Sequence, residues 1–101
     1  MVQSLLVAVG VLSLYIHFPG TASLKEKRSK IKPILSRLHR EFNLSVSEMS
    51  RQDAWQDTVI GCALISNDQA YIQKVFQQVV RFTEATWPDY ILLDQKQEII
   101  L

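Results

Sequence analysis

The chain has 101 residues, of which 48% are hydrophobic and 21% charged, and its formal net charge is +1. These values are typical of one ordinary globular domain and exclude a disordered segment. The single cysteine, Cys62, excludes an internal disulfide and fits a reducing compartment. The apolar run at residues 5–16 is shorter than the ~20 residues of a membrane span. No basic start or small-residue cleavage site marks it as a signal peptide. We therefore expect a cytoplasmic protein.

The apolar run is predicted to form the first strand. Residues 5–12 are apolar at both odd and even positions. Such positions point to opposite faces of a strand, so both faces should be covered. Pro19 and Gly20 mark a turn after this strand. His17, just before the turn, is interpreted as a solvated loop residue.

A basic helix is predicted next, over residues 24–41. Ser23 and Glu26 have the spacing of a capping box at its start. Apolar residues recur at helical spacing and form one stripe: Leu24, Ile31, Ile34, Leu35, Leu38 and Phe42. Pro33 lies inside this pattern, lacks an N–H and clashes with the carbonyl of Ser29. Because the stripe continues across Pro33, we expect one bent helix and not two.

Two strands are predicted after the helix. Residues 44–49 alternate as a half-buried strand, with Leu44 and Val46 pointing inward. The polar residues 50–54 are typical of a loop. Residues 55–65 form the next predicted strand, which is apolar on both faces over most of its length.

A second helix and a last strand complete the pattern. Residues 66–69 have the form of a capping box, and the helix is predicted to run through about Thr86. Its apolar stripe contains Ile72, Val75, Phe76, Val79, Phe82 and Thr83. The last strand begins at residues 90–93. The polar residues 94–98 are expected to interrupt it before residues 99–101, which indicates an edge position or a β-bulge.

The predicted order of elements is therefore β-α-β-β-α-β. With right-handed crossovers, this order places two helices on one face of a four-stranded antiparallel sheet. We expect an α+β fold of the ferredoxin-like type, in which residues 1–101 form a single domain.

Four segments of the chain form an ordered set that covers nearly its whole length. They are SLKEKR at residues 23–28, FNLSVSE at 42–48, QDAWQ at 52–56 and SND at 66–68. This set resembles the bacterial YlxP-like family, which is catalogued as a domain of unknown function. The resemblance implies a small cytoplasmic ferredoxin-like protein with no assigned activity. Genes of such proteins often lie among those for translation initiation and ribosome maturation.

The charge of the chain is concentrated on the first helix. Seven of the eleven Lys and Arg residues lie within residues 25–40, with Glu26 as the one acid, whereas residues 41–101 carry four basic and nine acidic residues. Arg28 falls on the apolar stripe itself, so it should extend past the sheet edge or pair with an acid. The candidate nucleic-acid or partner contacts are Lys25, Lys27, Arg28, Lys30, Lys32, Arg37 and Arg40, with Gln52 and Trp55 in the later loop.

Two functions from different classes are compatible with this helix. The protein is either an RNA- or ribosome-associated accessory protein whose helix binds phosphates of ribosomal RNA, or a structural module that acts through a protein–protein interface. In the second case the basic residues form only a solvated helix face. RNA binding through the sheet is not expected, because the strand centres lack the aromatic residues on which RNA-recognition motifs stack bases.

The chemistry-bearing residues do not form a recognisable catalytic or metal site. His17, His39 and Cys62 fall in three different elements, without the spacing of metal ligands. Cys62 lies in an apolar strand and is interpreted as a small buried hydrophobe. Asp53 and Asp57 flank Trp55, which is a common loop composition. We therefore expect no enzymatic activity, no cofactor, no metal, no membrane association and no small-molecule substrate.

The central strands predict self-association through the sheet. In the first strand one parity gives Val7, Val9 and Val11, and the other gives Leu6, Ala8, Gly10 and Leu12. In the third strand one parity gives Val59, Gly61, Ala63 and Ile65, and the other gives Ile60, Cys62 and Leu64. Whichever set faces the helices, the remaining set forms an apolar patch larger than monomers usually expose. A two-fold dimer is the commonest way to cover such a patch. The competing explanation is that the C-terminal segment or a different protein covers this face.

Overall fold

The computed structural model describes residues 7–50 and 54–101, and their elements follow the predicted order. The elements are β1 (Ala8–His17), α1 (Leu24–Phe42), β2 (Ser45–Ser50), β3 (Asp57–Ser66), α2 (Gln69–Thr86) and β4 (Ile91–Ile99). All paired strands are antiparallel, and the sheet has the order β2-β3-β1-β4. Both helices pack on one side of this sheet. The predicted ferredoxin-like α+β fold is confirmed.

The two faces of the sheet differ in what covers them. Even-numbered residues of β1 are buried under the helices, and odd-numbered residues are half-buried on the other side. We call the first side the helix face and the second the open face. The core on the helix face contains Ala8, Leu12, Leu14, Ile16, Phe18, Ile31, Ile34, Leu38, Leu44, Ile60, Cys62, Ile72, Val75, Phe76 and Val79. The open face has no such layer among the residues that the structure describes.

Side-chain caps fix the start of α1. The Ser23 hydroxyl accepts a hydrogen bond from the Glu26 N–H at 3.1 Å, as the capping box predicts. The Glu26 carboxylate accepts from the N–H of Ala22 at 2.8 Å, one residue before the predicted donor. This bond, together with nearby Lys30, lowers the pKa of Glu26 from its usual value. At the other end, Asn43 adopts the left-handed conformation and its N–H bonds to the His39 carbonyl.

The start of α2 differs from the prediction. The N-cap is Asp68, whose carboxylate accepts a hydrogen bond from the Ala70 N–H at 2.9 Å. Ser66 is the last residue of β3, and its hydroxyl accepts from the Asp68 N–H. The predicted capping box was therefore wrong by two residues, because Asp is as effective an N-cap as Ser and lies directly before the helix.

The last strand lies at the sheet edge, next to β1, as its polar residues predicted. Its pairing with β1 skips Leu93, between Leu92 and Asp94, so the strand also contains a β-bulge. The polar residues 94–98 do not interrupt the strand. Charged side chains and a bulge are two devices that keep an exposed edge from pairing with other chains.

Pro33 lies within the single helix α1, and its side chain is exposed. Replacing it with alanine would restore one backbone N–H and remove the clash with the preceding turn. We expect Pro33→Ala to leave the free energy of unfolding unchanged or to raise it by up to ~3 kcal/mol. Thermal and urea melts measure this, with Ser36→Ala on the same helix as a control for intrinsic helix propensity. A clear loss of stability in Pro33→Ala alone would contradict the prediction.

Candidate nucleic-acid interface

Four basic residues occupy the solvent side of α1. Lys25, Arg28, Lys32 and Arg40 are exposed, and none of their side chains has a hydrogen bond or ion pair with another residue that the structure describes. On a helix with 3.6 residues per turn they fall within roughly a third of the circumference and span ~22 Å of its length. No carboxylate lies within this arc. We call these four residues the basic ridge.

Two further predicted contacts, Lys30 and Arg37, are engaged by neighbouring groups. The Lys30 ammonium donates to the Thr21 hydroxyl at 2.7 Å and lies 3.6 Å from the Glu26 carboxylate. The Arg37 guanidinium lies 3.7 Å from the Glu41 carboxylate, and its centre lies 5.3 Å from the centre of the Phe82 ring. Both acids of α1 thus lie beside cations outside the ridge. Within residues 7–50 and 54–101, no acid pairs with a cation of the ridge itself.

Lys27 is the largest error of the predicted site. Its side chain is 1% exposed, so it cannot contact a phosphate at the surface. The ammonium donates to the backbone carbonyl of Asp57 at 3.1 Å and lies 3.6 Å from the Glu48 carboxylate. That carboxylate also accepts a hydrogen bond from the Thr58 hydroxyl at 2.8 Å. Lys27 therefore fastens α1 to β2 and β3 from inside the domain.

The buried stripe of α1 explains this error. Lys27 lies four, seven and eleven residues before Ile31, Ile34 and Leu38, and all four are buried. Arg28, which was expected on the stripe, is exposed instead. The interpretation took Leu24 as the start of the stripe and so shifted its phase by about one residue. The helical spacing between Lys27 and these apolar residues is visible in the sequence. A sequence-based prediction nevertheless places Lys27 at the surface, because a lysine is rarely fully buried unless it is paired.

His17 also differs from its interpretation as a solvated loop residue. It is the last residue of β1, half-buried, and its Nδ1 lies 2.7 Å from Asp57 Oδ1. Asp57 thus contacts His17 through its carboxylate and accepts a hydrogen bond from Lys27 through its backbone carbonyl. This polar cluster joins the ends of β1, β2 and β3 to the first half of α1. It gives the basic ridge a rigid support.

The predicted loop contacts are described only in part. Gln52 lies outside the described residues, and Trp55 is 57% exposed. The side chain of the neighbouring Gln56 donates a hydrogen bond to the Thr21 carbonyl at 3.2 Å. The backbone carbonyl of Gln56 accepts one from the Phe18 N–H at 2.7 Å. These bonds hold Gln56 beside the segment that precedes α1.

Cys62 lies on the helix face and is 1% exposed. Burial raises the pKa of its thiol to about 12, so the thiol is protonated at neutral pH and a poor nucleophile. Within residues 7–50 and 54–101, no three His, Cys, Asp or Glu side chains are grouped so that they could hold a metal ion. In the same ranges, no helix has the length and apolar character needed to cross a bilayer.

Comparison with known proteins identifies a similar sequence and a similar structure. It is 43% identical over 63 residues to the "Uncharacterized protein YlxP" of Bacillus subtilis (strain 168), which is 62% of this chain and 68% of that protein. Among solved structures it is similar to the "De novo designed protein Foldit4", with a TM-score of 0.55, 16% identity and coverage of 94% of this chain and 97% of that one. The second likeness concerns the fold alone.

The family model described as "Protein of unknown function (DUF503)" matches residues 9–96. This match includes both helices and most of the sheet, and it agrees with the resemblance to YlxP-like sequences. The chain belongs to the DUF503 family, whose function is not known.

Proposed function

We propose that the protein is an RNA-associated accessory protein and that the basic ridge binds phosphates of ribosomal RNA. One observation carries this proposal: Lys25, Arg28, Lys32 and Arg40 are exposed along one side of a helix, without an acidic partner among the described residues. Such cations displace condensed counterions from a phosphate backbone, which supplies affinity that does not depend on base sequence. The ridge is long enough to follow several phosphates.

The support of the ridge favours binding over mere solvation. A helix that must hold four like charges on one side gains from firm anchoring on the other. Here the buried ammonium of Lys27 and the bonds of Lys30 and Arg37 fasten α1 to the rest of the domain. Charges on a rigid element meet a ligand with less loss of conformational entropy than charges on a loop.

The open face of the sheet offers no alternative RNA platform. RNA-recognition motifs stack bases on aromatic residues of the central strands. At the centre of the open face this chain has Val11, Gly61 and Ala63. Tyr15 is aromatic, but the Lys96 ammonium lies 5.5 Å from its ring centre. We therefore assign RNA contact to α1, with Trp55 as a neighbouring residue that could stack on an unpaired base.

The test is a salt titration of RNA binding. The variant Lys25→Gln, Arg28→Gln, Lys32→Gln and Arg40→Gln removes the ridge, and the control Lys74→Gln, Arg81→Gln and Lys96→Gln removes exposed charges elsewhere. For wild type and control, we expect log K for ribosomal RNA to fall with log salt at a slope of about −3. The ridge variant should have a slope near zero and bind at least ~10-fold more weakly in low salt.

Two outcomes would contradict this proposal. If the wild type does not bind ribosomal RNA or ribosomal subunits at low salt, the proposal is wrong. If the ridge variant and the control lose affinity equally, binding reflects net charge and not the ridge. In either case the alternative function, a module that acts through a protein–protein interface, is preferred. The apolar open face is the observation that favours that alternative.

A further inference from the structure

The open face of the sheet is largely apolar at its centre, apart from the small residues Ser13, Ser45 and Ser47, and it carries prominent exposed side chains. Val9 and Val11 of β1 lie beside Ile65 and Ala63 of β3 on this face. Ile65 is 68% exposed, and Met49, which lies over Gly61, is 62% exposed. A single domain of this fold usually has polar residues alternating along such a face. An apolar centre of this kind marks an interaction surface.

The same face contains a hollow as well as these projections. A groove of about 360 Å³ crosses β1, β3 and β2, and its floor is made of small residues, Ser47, Gly61 and Ala63. The Met49 side chain covers the Gly61 end of this floor, but it is flexible and 62% exposed. A second surface can therefore approach the backbone closely once that side chain turns aside. A projecting Ile65 and a hollow over Gly61 on one face are what a self-complementary, two-fold contact requires. A surface that has both a projection and a groove can pack against a second copy of itself.

The charges around this face favour a second copy over a charged partner. On the open face β4 contributes Asp94, Lys96 and Glu98, which alternate in sign. Lys96 is also drawn over the Tyr15 ring. Such a border is nearly neutral, so two copies meet without strong repulsion. It has no attraction for RNA or an anionic lipid surface, in contrast to the basic ridge on the other side of the molecule.

The extent of the face fits a stable dimer, and the sheet edges do not compete with it. The strands β1 and β3 have ten residues each, β2 has six and β4 has nine. At ~3.4 Å per residue and ~4.8 Å between strands, they give a face of roughly 570 Å² in plan. Side chains that interlock bury more than the plan area, which approaches the ~800 Å² per partner of standard interfaces. The β4 edge is blunted by its bulge, and β2 is only six residues long. The face and not an edge is therefore the contact surface.

We propose that two copies of the chain pack open face to open face about a two-fold axis, with Ile65 and the groove over Gly61 inside the contact. The resulting dimer would have four layers, with the two sheets in the middle and the helices outermost. With layers ~10 Å apart, the two α1 helices would lie ~30 Å from each other on opposite sides of the dimer. This proposal does not depend on RNA binding, because it uses the opposite side of the domain.

Light scattering behind a sizing column tests the dimer at tens of micromolar. The wild type should have about twice the 11.6 kDa mass of the chain. Ile65→Lys and, separately, Ser47→Arg should each give a folded monomer, because both place a charge on the open face at an exposed position. Tyr71→Lys is the matched control. Tyr71 is 52% exposed on α2, away from the sheet, so this variant should remain dimeric.

The outcomes separate this proposal from RNA binding. An apolar contact persists at high salt, whereas phosphate contacts weaken, so the wild-type dimer should survive salt that abolishes RNA binding. A wild-type mass near 11.6 kDa at every concentration would overturn the proposal. A dimer that both Ile65→Lys and Ser47→Arg leave intact, with far-UV circular dichroism unchanged, would place the contact elsewhere and overturn it as well.

Discussion

Lys27→Met should lower the free energy of unfolding by about 2–4 kcal/mol. The substitution keeps the length of the side chain but removes the ammonium that serves the Asp57 carbonyl and neighbours the Glu48 carboxylate. The Asp57 carbonyl and the Glu48 carboxylate then lose the ammonium group beside them, in a part of the domain that water reaches poorly. The cost should lie in the lower part of the range for broken buried pairs, because the Glu48 side chain is 17% exposed and reaches water. Urea unfolding with an unchanged m-value measures it.

Two further variants make this prediction decisive. Lys25→Met changes the same residue type on the exposed side of α1 and should alter stability by no more than ~0.5 kcal/mol. In Lys27→Met combined with Glu48→Gln, the carboxylate that lost its partner is gone. The double variant should therefore be more stable than the sum of the single changes predicts. Equal, small losses for Lys27→Met and Lys25→Met would show that the buried ammonium contributes nothing to the fold.

Gly10→Ala should destabilise the protein by about 1–3 kcal/mol, whereas Gly61→Ala should change its stability by less than ~1 kcal/mol. Gly10 is on the helix face, where an added methyl carbon would lie 2.5 Å from Ile72 Cγ2 and 2.9 Å from Phe76 Cε2. Both neighbours are fully buried and cannot move without disturbing the core. Urea melts of the two variants in the Ile65→Lys background, in which the open face should not contact a second copy, test the contrast.

Gly61 is the internal control, since it lies in the neighbouring strand β3 and on the open face. An added methyl carbon there would lie 2.6 Å from Met49 Cγ, but that side chain is flexible and 62% exposed. It can turn into solvent at little cost. Two glycines in neighbouring strands should thus respond differently because only one faces the helices. A larger loss for Gly61→Ala than for Gly10→Ala would contradict the assignment of the two faces.

The elements of the fold were predictable because local patterns and tertiary packing agree in most of this chain. The presence of α1 follows from apolar periodicity, and the edge character of β4 follows from the polarity of residues 94–98. The end of α2 at Thr86 follows from Pro88, because the residue before a proline avoids the helical conformation. Element ends were less accurate. Trp55 was expected to begin β3, which begins at Asp57. The sequence has apolar and aromatic residues at such ends, but only pairing with a neighbouring strand decides where a strand starts.

The candidate site was less predictable than the fold, since a charged residue type does not reveal which way its side chain points. The concentration of basic residues on α1 was evident, but Lys27 and Arg28 are adjacent and a small error in helix phase exchanges their environments. The partners of Lys27 are also distant in sequence, on strands that begin or end near Asp57 and Glu48. Only the fully formed sheet brings these groups together beneath the helix.

The burial of Cys62 makes the protein convenient for site-directed spectroscopy. Its only thiol is sealed in the core and stays protonated, so a maleimide probe should react with an introduced surface cysteine and not with the native one. A spin label at Ser36 of α1, which is exposed, would then report on each domain from a single known position. Two labels in one particle would give a distance between helices, and a label near bound RNA would lose mobility. One chemically silent cysteine thus lets both surfaces of this domain be followed without removing a native residue.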